Sequence, residues 1–361
     1  MPRSFPQARV RIGLREVATA ANVCAMTVSL ALRDNPRISA GTRDRIKRLA
    51  AELGYHPDPE LSRLMNHLRA SRIARGKIGI ALIDFYPTPG FVENAYNSRL
   101  RLGAERRAGE LGFSITSMHA ADYALSLPKL LKVVRARGLE GALILPSVVP
   151  IELDTSVSWN GISVVATSKS IVTPRFHCAL PNQFGNAMRL LEALQGPGDR
   201  RICAVFDELF DERTGHHFTA AVNWRPAGRA TLIVPQAASP TDRAELVAGW
   251  LVQQRPDAVF AQSDAVTAAI PRLRSVRPAM NFQVITLGQQ NSAGFPYLDE
   301  RADLIGAGAI DVLGGMMYYH ETGIPAHPRT TLFDGKLVLS RKVVGRAPAL
   351  TIAERELRIA D

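Results

Sequence analysis

Residues 17–33 read VATAANVCAMTVSLALR, and this stretch decides the fold of the leading part of the chain. Apolar residues recur at helical spacing on both sides of Asn22. Asn22 stands where a tight turn between two helices requires a left-handed backbone, which Asn adopts more easily than any residue except Gly. The pattern predicts two short helices joined by a sharp turn. Their apolar residues are Leu14, Val17, Ala18, Ala21, Val23, Val28, Ala31 and Leu32.

A third helix is predicted directly after this pair. Ser39 can cap its N-terminus, and Gly54 stands at the position where a helix commonly ends. The apolar stripe between them consists of Ile46, Leu49, Ala50 and Leu53. Three short helices in this order indicate a helix-turn-helix module.

The charge of the chain is concentrated in the same segment. The 361 residues carry a formal net charge of +11. Residues 1–77 contain fifteen Lys or Arg and six Asp or Glu, so this segment alone carries +9. Positive charge confined to a small module that can fold is typical of nucleic-acid binding. A solvated basic tail would carry the same charge, but the helical pattern argues against it.

Several other classes of protein find no support in the sequence. No stretch approaches 18 consecutive apolar residues, and the basic N-terminus has no apolar run after it, so we expect a soluble, cytoplasmic protein without a membrane partner. Cys24, Cys178 and Cys203 form no CxxC pair, which predicts free thiols. P-loop, GxSxG and HExxH motifs do not occur. We therefore expect no catalytic residues, no cofactor and no metal site, and the protein is not expected to be an enzyme.

Beyond Lys77, short apolar runs alternate with helical stretches, which predicts an α/β fold with parallel sheets between helices. The runs are IGIALI at 78, FSITSM at 113, GALIL at 141, SVVA at 163, ICAVF at 202, TLIV at 231, AVFA at 258 and QVITL at 283. They form two series, roughly residues 78–170 and 176–290. Two doubly wound lobes leave a cleft at the carboxyl ends of their strands.

The stretch LREVATAANVCAMTVSLALRDNPRISAGTRDRIKRLAAELGYHPDPELSRLM, residues 14–65, resembles the DNA-binding head and hinge of the lactose/galactose repressor (LacI/GalR) family. The resemblance rests on the L-x-x-VA start, the TVS of the second helix, the I-S-x-x-TR opening of the third and the GY-x-P exit. It implies a helix-turn-helix head, a hinge helix and a periplasmic-binding-protein-like core of two lobes. It also implies that the final helix and strand cross back between the lobes.

In this family the second helix lies in the major groove of DNA. The resemblance places Ala25, Met26 and Leu30 at base-reading positions, where apolar side chains can contact a thymine methyl group. The full set of expected DNA contacts in the head is Leu14, Cys24, Ala25, Met26, Thr27, Ser29, Leu30 and Arg33. A different role for Met26, packing in the core of the head, stays open. Cys24 stands where the family usually has Ser, and positions 26 and 30 lack the usual Gln or Arg readers, so the operator sequence does not follow from the resemblance.

The segment 58–76 is expected to contain the hinge helix. Asp58 suits its N-cap and Pro59 its first turn, and the apolar residues Leu61, Leu64, Met65 and Leu68 fall on one face. The resemblance makes Leu64 the leucine that wedges between base pairs in the minor groove, with Leu61 beside it. An ordinary amphipathic linker would show the same pattern, and this alternative stays open.

Residues after the predicted strands of the core resemble the effector contacts of the family by their chain positions. The expected set is Phe85, Tyr86, Ser147, Arg213, His217, Ser263, Asp264 and Gln289. Arg213 and His217 are expected to open the helix after DELFDE, and the Ser263-Asp264 pair resembles the Asn-Asp motif of the family. After QVITL the acidic residue of the family is replaced by the sequence GQQN. We therefore expect a small-molecule effector, a sugar being one option; a different ligand, weak binding and no ligand at all stay open as alternatives.

These patterns predict a dimeric, ligand-responsive transcriptional regulator, a repressor that binds a pseudo-palindromic operator in double-stranded DNA. The alternatives are a small-molecule (sugar) binding module without a regulatory role, and a regulator controlled by a partner protein. The predicted division is a DNA-binding domain at 1–57, hinge and linker at 58–76, an effector-binding and dimerisation domain at 77–345, and a C-terminal tail at 346–361.

Overall fold

The structure is a computed structural model. It describes residues 14–32, 38–55, 78–86, 94–195, 200–224, 228–262, 264–288 and 295–338. The chain divides into two compact units, one formed by residues 1–77 with Tyr318–Glu321 and the other by the remaining residues.

The first unit contains three short helices. They are α1 (Leu14–Ala21), α2 (Ala25–Leu32) and α3 (Ala40–Glu52). Between α1 and α2, Asn22 has a φ of 51°, and the Val23 amide donates to the Ala18 carbonyl at 3.0 Å. The predicted sharp turn at Asn22 is therefore confirmed.

The three helices share one small apolar core. Its buried residues are Val17, Ala18, Ala21, Val28, Ala31, Ile46 and Ala50. Ser39 caps α3 by accepting from the Thr42 amide, and the chain leaves the helix through Gly54, whose φ is 69°. Both ends of α3 and its apolar stripe are as predicted, and these contacts give the module its helix-turn-helix fold.

The second unit contains two six-stranded sheets. The strands of the first sheet are β1 (Ile78–Asp84), β2 (Phe113–His119), β3 (Leu139–Ile144), β5 (Ser163–Ala166), β7 (His177–Pro181) and β13 (Thr330–Phe333), in the order β13-β7-β5-β3-β1-β2. All their pairings are parallel. A separate ribbon pairs β4 (Ile151–Glu152) with β6 (Ile171–Thr173).

The second sheet repeats this arrangement. Its strands are β8 (Ile202–Asp207), β9 (Arg229–Val234), β10 (Ala258–Ala261), β11 (Gln283–Leu287), β12 (Tyr297–Asp299) and β14 (Lys336–Val338), in the order β14-β12-β11-β10-β8-β9. Only the pairing of β12 with β14 is antiparallel among the described strands of this sheet.

Helices cover both faces of each sheet. They are α4 (Ala95–Glu110), α5 (Leu127–Ala136), α6 (Gln183–Gln195), α7 (Glu208–Arg213), α8 (His217–Asn223), α9 (Pro240–Gln254), α10 (Asp264–Val276) and α11 (Ala302–Tyr319). Two apolar clusters flank the first sheet and two flank the second. Because the central strands are buried on both faces, they are mainly apolar runs, as is typical of parallel sheets.

All eight apolar runs predicted as strands form strands, and the predicted α/β fold with two doubly wound lobes is confirmed. The predicted boundary between the two series is wrong by one strand. Strand β7 lies in the second predicted series, yet it pairs with β5 in the first sheet. The chain enters the second lobe only with α6, whose apolar face packs into the core beside β8.

The chain crosses between the lobes again near its end. Helix α11 packs on the first sheet beside α4, β13 joins the first sheet, and β14 joins the second. At the contact of α11 with α4, a Cβ at Gly306 would overlap the Leu100 carbonyl, and a Cβ at Gly103 would overlap the Asp303 backbone. Glycine allows the two helix backbones to touch, and the expected late crossing of helix and strand is confirmed.

No helix within the described part of the chain is both long enough and apolar enough to span a membrane. Cys24, Cys178 and Cys203 are all free thiols.

Candidate functional site

The second helix of the head is the predicted DNA-reading element. Thr27 and Leu30 on α2 are partly buried, and Cys24 before it is exposed. Leu14 begins α1, and Ala25, Met26 and Ser29 lie on α2, but the side chains of these four residues are outside the described part of the structure. Arg33, Leu61 and Leu64 also lie outside the described residues, together with the predicted hinge helix.

Cys24 occupies the position before the first residue of α2. Its Sγ lies 3.1 Å from the Thr27 hydroxyl, and its carbonyl accepts from the Val28 amide at 3.2 Å. A thiol is a weak hydrogen-bond partner, so it gives the start of α2 less stabilisation than a Ser hydroxyl would.

The third helix carries most of the positive charge of the described head. Arg43, Arg45, Lys47 and Arg48 are close together in its sequence. The Arg43 guanidinium donates to the Ile38 carbonyl at 3.1 Å, whereas Arg45 and Arg48 are exposed. The exposed cations give this module the positive surface that phosphates attract.

The second unit contains a cavity of about 480 Å³ at the carboxyl ends of both sheets. Its wall combines residues that follow β3, β5 and β7 of the first lobe with residues that follow β8, β10, β11 and β12 of the second. The lining residues are Asn94, Ala95, Tyr96, Asn97, Arg99, Pro146, Ser147, Thr167, Ser168, Lys169, Ser170, Leu180, Pro181, Gln183, Phe210, Arg213, Thr214, Gln262, Leu287, Gly288, Asp299 and Glu300. This is the place where doubly wound α/β proteins bind ligands, and its volume lies in the usual range of roughly 300–1,000 Å³ for small-molecule sites.

The first turn of α4 forms one side of the cavity. Asn94 caps the helix by accepting from the Asn97 amide at 2.9 Å. The Asn97 side-chain amide donates to the Tyr86 hydroxyl and, at 3.1 Å, to the Pro146 carbonyl. These two bonds fix the amide orientation, while the buried Oδ1 of Asn97 has no hydrogen-bond partner within the described structure.

Hydroxyl groups line the first-lobe wall. Ser170 Oγ accepts from the Ser147 amide at 3.0 Å and lies against the Ser168 hydroxyl. The Thr167 hydroxyl donates to the Ile144 carbonyl at 2.8 Å. The loop after β5 is therefore held in place by its own hydroxyls and presents these hydroxyls, together with the Lys169 ammonium group, to the cavity.

Arg99 joins the two lobes at the cavity wall. Its guanidinium contacts both carboxylate oxygens of Asp299, at 2.9 and 3.1 Å, and one oxygen of Asp303 at 3.0 Å. The hydrogen bond to Asp299 is the main reason that the pKa of Arg99 is raised. Two carboxylates thus neutralise this cation.

Arg213 is a second cation in the wall. It is the last residue of α7, and its guanidinium lies over the Phe210 ring, 5.3 Å from the centroid. Burial lowers its pKa. No carboxylate of the described residues lies at ion-pair distance from this guanidinium.

Glu300 faces the same cavity immediately after β12. Its Oε1 is fully enclosed and lacks a hydrogen-bond partner among the described residues. Burial raises the pKa of the carboxyl to about 7, although Arg213 acts in the opposite direction. Glu300 is therefore largely protonated below neutral pH and can then act as a hydrogen-bond donor.

Lys169 of the first lobe contacts His217 of the second. Lys169 Nζ lies 3.1 Å from His217 Nε2, and His217 Nδ1 lies 3.3 Å from the Gln183 side-chain oxygen. Because an ammonium group only donates, Nε2 accepts and the imidazole proton resides on Nδ1. Burial and then the neighbouring Lys169 lower the pKa of His217, which keeps this imidazole neutral.

The structure places the predicted effector residues in different environments. Ser147 and Arg213 line the cavity. Phe85 and Tyr86 are not among the described lining residues. Phe85 packs in the apolar core of the first lobe. The Tyr86 hydroxyl accepts a hydrogen bond from the side chain of Asn97, which does line the cavity. His217 contacts two lining residues. Ser263 and Gln289 lie outside the described residues, as does the side chain of Asp264, the first residue of α10.

The expectation that Arg213 and His217 open one helix is wrong. Arg213 ends α7, and His217 begins α8. The break follows from Gly215 and His216, whose φ values of 65° and 58° are left-handed. The Asp211 carboxylate accepts from His216 Nδ1 at 2.7 Å and supports this turn.

Several lining residues were missed in the sequence. The segment Thr167–Ser170 follows a predicted strand, and the rule that ligands bind at carboxyl ends of strands could have identified it. Asn94 is a recognisable N-cap residue. Asp299 ends strand β12 and Glu300 follows it, and neither gave a signal because this strand has only three residues. They supply carboxyl groups near the segment where GQQN lacks one.

Within the described part of the chain, no group of three or more His, Cys, Asp or Glu side chains is placed to hold a metal ion.

Comparison with known proteins agrees with the two-part architecture. The model for bacterial regulatory proteins of the lacI family matches residues 13–58. The HTH-type transcriptional regulator PtxS of Pseudomonas plecoglossicida is 31% identical over 119 residues. That segment covers 32% of this chain and spans only 30% of the length of that regulator.

Solved structures resemble a larger part of the chain. The lac repressor dimer bound to operator and an anti-inducer has a TM-score of 0.53 at 14% identity, with 91% of this chain and 98% of that chain covered. A LacI transcriptional regulator from Lactobacillus brevis has a TM-score of 0.54 at 13% identity, covering 72% of this chain and 99% of that chain. At these identities the likeness establishes the fold.

Proposed function

Through residues 13–58 the chain belongs to the lacI family of bacterial regulatory proteins, and from this premise we propose that it is a DNA-binding transcriptional regulator. It acts as a ligand-responsive repressor that binds a pseudo-palindromic operator as a homodimer. The observation that carries this proposal is the match of the family model to a segment that forms three helices around the left-handed Asn22 turn.

The proposed DNA contacts lie on α2 and in the hinge. Ala25, Met26 and Leu30 read base edges, and Thr27, Ser29 and Arg33 contact phosphates, supported by Leu14 and Cys24. Leu64, with Leu61, wedges into the minor groove and bends the operator. The exposed cations of α3 support this proposal, because they supply attraction to DNA that does not depend on sequence.

The cavity between the lobes is the proposed effector site. It is lined from both lobes, so a ligand bound there contacts groups that move relative to each other when the lobes rotate. Differential affinity for two lobe arrangements, amounting to about 1–3 kcal/mol, gives a useful change in operator affinity. In this proposal Ser147 and Arg213 contact the effector directly. The other residues of the proposed site are His217, Ser263, Asp264 and Gln289. Phe85 and Tyr86 stabilise the wall of the site.

The proposed division of the chain is a DNA-binding domain at 1–57, a hinge at 58–76, an effector-binding and dimerisation domain at 77–345 and a tail at 346–361. We assign the protein no catalytic activity. Since its proposed partner is genomic DNA, its proposed location is the cytoplasm.

The test is selection of genomic fragments by the purified protein, followed by binding titrations on the recovered duplex. Affinity is expected to fall steeply with rising salt, and deletion of residues 1–60 is expected to abolish binding. Met26→Ala is expected to change the preferred sequence more than the affinity for random duplex, while Leu64→Ala weakens specific binding and reduces bending. Absence of preference for any duplex over random DNA at low salt overturns the proposal.

Two alternatives have distinct outcomes in the same assay. A small-molecule binding module binds its ligand and shows no salt-dependent duplex binding. A regulator controlled by a partner protein keeps the same operator affinity across a panel of small molecules, and its affinity changes when cell extract is added.

A further inference from the structure

The charges in the cavity wall are unevenly balanced. Arg99 is neutralised by two carboxylates, whereas Arg213 and Lys169 form no ion pair with any carboxylate in the described part of the chain. The hydrogen bond that Lys169 forms within the described part of the chain is to the imidazole of His217. Within the described residues, these two cations therefore lack an ion-pair partner; Lys169 is exposed to solvent, and Glu300 acts on Arg213 from beyond ion-pair distance.

The acidic residues that act on Arg213, lie near it in the chain or share its cavity wall are engaged elsewhere or enclosed. Asp207, the residue before α7, forms an ion pair with Arg243. Asp211 accepts from His216 and Thr219, and Asp299 is held by Arg99. Glu300 is the remaining acidic group, and it lies beyond ion-pair distance.

The Arg213 guanidinium is partly buried, and a cation that loses hydration without gaining an ion-pair partner is destabilised. The Phe210 ring under the guanidinium replaces only a part of the lost hydration. The planar guanidinium has parallel N–H groups that match the two oxygens of a carboxylate. An anionic group of a ligand is therefore the natural partner of Arg213.

The rest of the wall favours hydroxyl groups. Ser147, Ser168, Ser170 and Gln262 line the cavity and can each donate and accept hydrogen bonds. The aromatic rings of Tyr96 and Phe210 provide apolar surface for the carbon skeleton of a ligand. Neutral donors and acceptors of this density suit a polyhydroxylated molecule.

From these contacts we infer that the cavity binds a polyhydroxylated carboxylate, a sugar acid, with its carboxylate on Arg213 and a secondary attraction from Lys169. This inference names the class of ligand that the proposed effector site binds, and its role in regulation rests on the proposed function. The binding itself is measured without DNA, so the ligand class and the regulatory role fail independently.

The experiment is calorimetric titration of the full chain with two matched pairs of probes, slightly below neutral pH. Glucuronate is compared with glucose, and gluconate with glucitol, so that each pair differs in the carboxylate. At least one acid is expected to bind roughly 10- to 100-fold more tightly than its neutral counterpart. Equal or tighter binding of both neutral members, or binding of none of the four at high millimolar concentration, overturns the inference.

Variants locate the carboxylate. Arg213→Met keeps apolar contact with Phe210 and is expected to remove the preference for the acid, while Lys169→Met reduces it by a smaller factor. Arg274→Met removes the same charge from an exposed position outside the cavity and is expected to leave binding unchanged. If Arg213→Met prefers the acid as strongly as the wild type does, the ligand carboxylate does not bind Arg213 and the inference is overturned. If this variant does not fold, the comparison within the two probe pairs decides alone.

Discussion

Arg99 and Asp299 form a two-pronged ion pair between the lobes, with guanidinium-to-carboxylate distances of 2.9 and 3.1 Å. Arg99 lies on α4 of the first lobe, and Asp299 ends β12 of the second. The same guanidinium reaches Asp303 at the start of α11, where the chain returns to the first lobe. One side chain thus connects the three elements that meet at the cavity wall.

Loss of this connection is expected to destabilise the protein. Arg99→Met should lower the free energy of unfolding by about 1–2 kcal/mol, because the pair is bidentate and only partly exposed. Chemical denaturation measures the change. Arg107→Met is the matched control: Arg107 is equally exposed, but its partners Glu110 and Asp311 are half exposed. Its expected loss is below about 1 kcal/mol, and an equal loss in both variants contradicts the special role of Arg99.

The glycine contact between α4 and α11 predicts a second effect. Gly306→Ala should destabilise the core by about 1–3 kcal/mol, because the added methyl group meets the Leu100 carbonyl and the two helices must move apart. Thermal unfolding followed by circular dichroism measures it.

Gly109→Ala provides the control for that substitution. Gly109 lies near the end of α4, and an added Cβ there meets no atom of the described structure within contact distance. Since Ala is the better helix former, this variant should be unchanged or more stable by about 0.5–1 kcal/mol. Equal destabilisation of both variants would mean that the contact between the two helix backbones does not explain why position 306 requires glycine.

The fold was predictable because its signals are local and long enough. The turn at Asn22 needs one left-handed residue between two apolar stripes, and each central strand is a mainly apolar run of at least four residues. Strand β7 was assigned to the wrong lobe because pairing partners depend on tertiary contacts that an apolar run does not encode. Strands β12 and β14, of three residues each, are too short for a periodic pattern.

The cavity was predictable in position and only partly in composition. Ser147 and Arg213 follow strands and were expected near a ligand, and both line the cavity. Arg99 and Asp299 could not be foreseen, because a cation on a helix and an acid at the end of a short strand look like surface residues until the lobes bring them together. Phe85 shows the reverse case, since a residue just after a strand can turn into the core.

Glu300 predicts a pH dependence of stability. Burial raises the pKa of its carboxyl from the ordinary 4.5 to about 7. The folded state therefore binds a proton that the unfolded state releases between these values, so this stabilisation is complete below about pH 4.5 and is lost as pH rises through about 7. Its upper limit is roughly 3 kcal/mol.

The substitution Glu300→Gln isolates this effect. Gln keeps the shape and stays neutral, so the free energies of unfolding of the two proteins should be closest at about pH 4.5 and should diverge as pH rises to about 7, with the variant more stable and the difference constant at higher pH. Denaturant titrations across this range give the difference. A constant difference at all pH values would show that Glu300 does not titrate differently in the folded state.

The same carboxyl group should make binding of a sugar acid depend on pH. Once ionised, Glu300 repels a carboxylate held on Arg213, so affinity for the acid is expected to fall as pH rises through about 7, whereas affinity for a neutral polyol stays nearly constant. His217 is kept neutral by burial and Lys169 and should contribute little over this range. Titration calorimetry of wild type and Glu300→Gln with gluconate tests this: the variant should bind with an affinity that no longer changes across neutrality. A wild-type affinity that is equally independent of pH would place the carboxylate of the ligand away from Glu300.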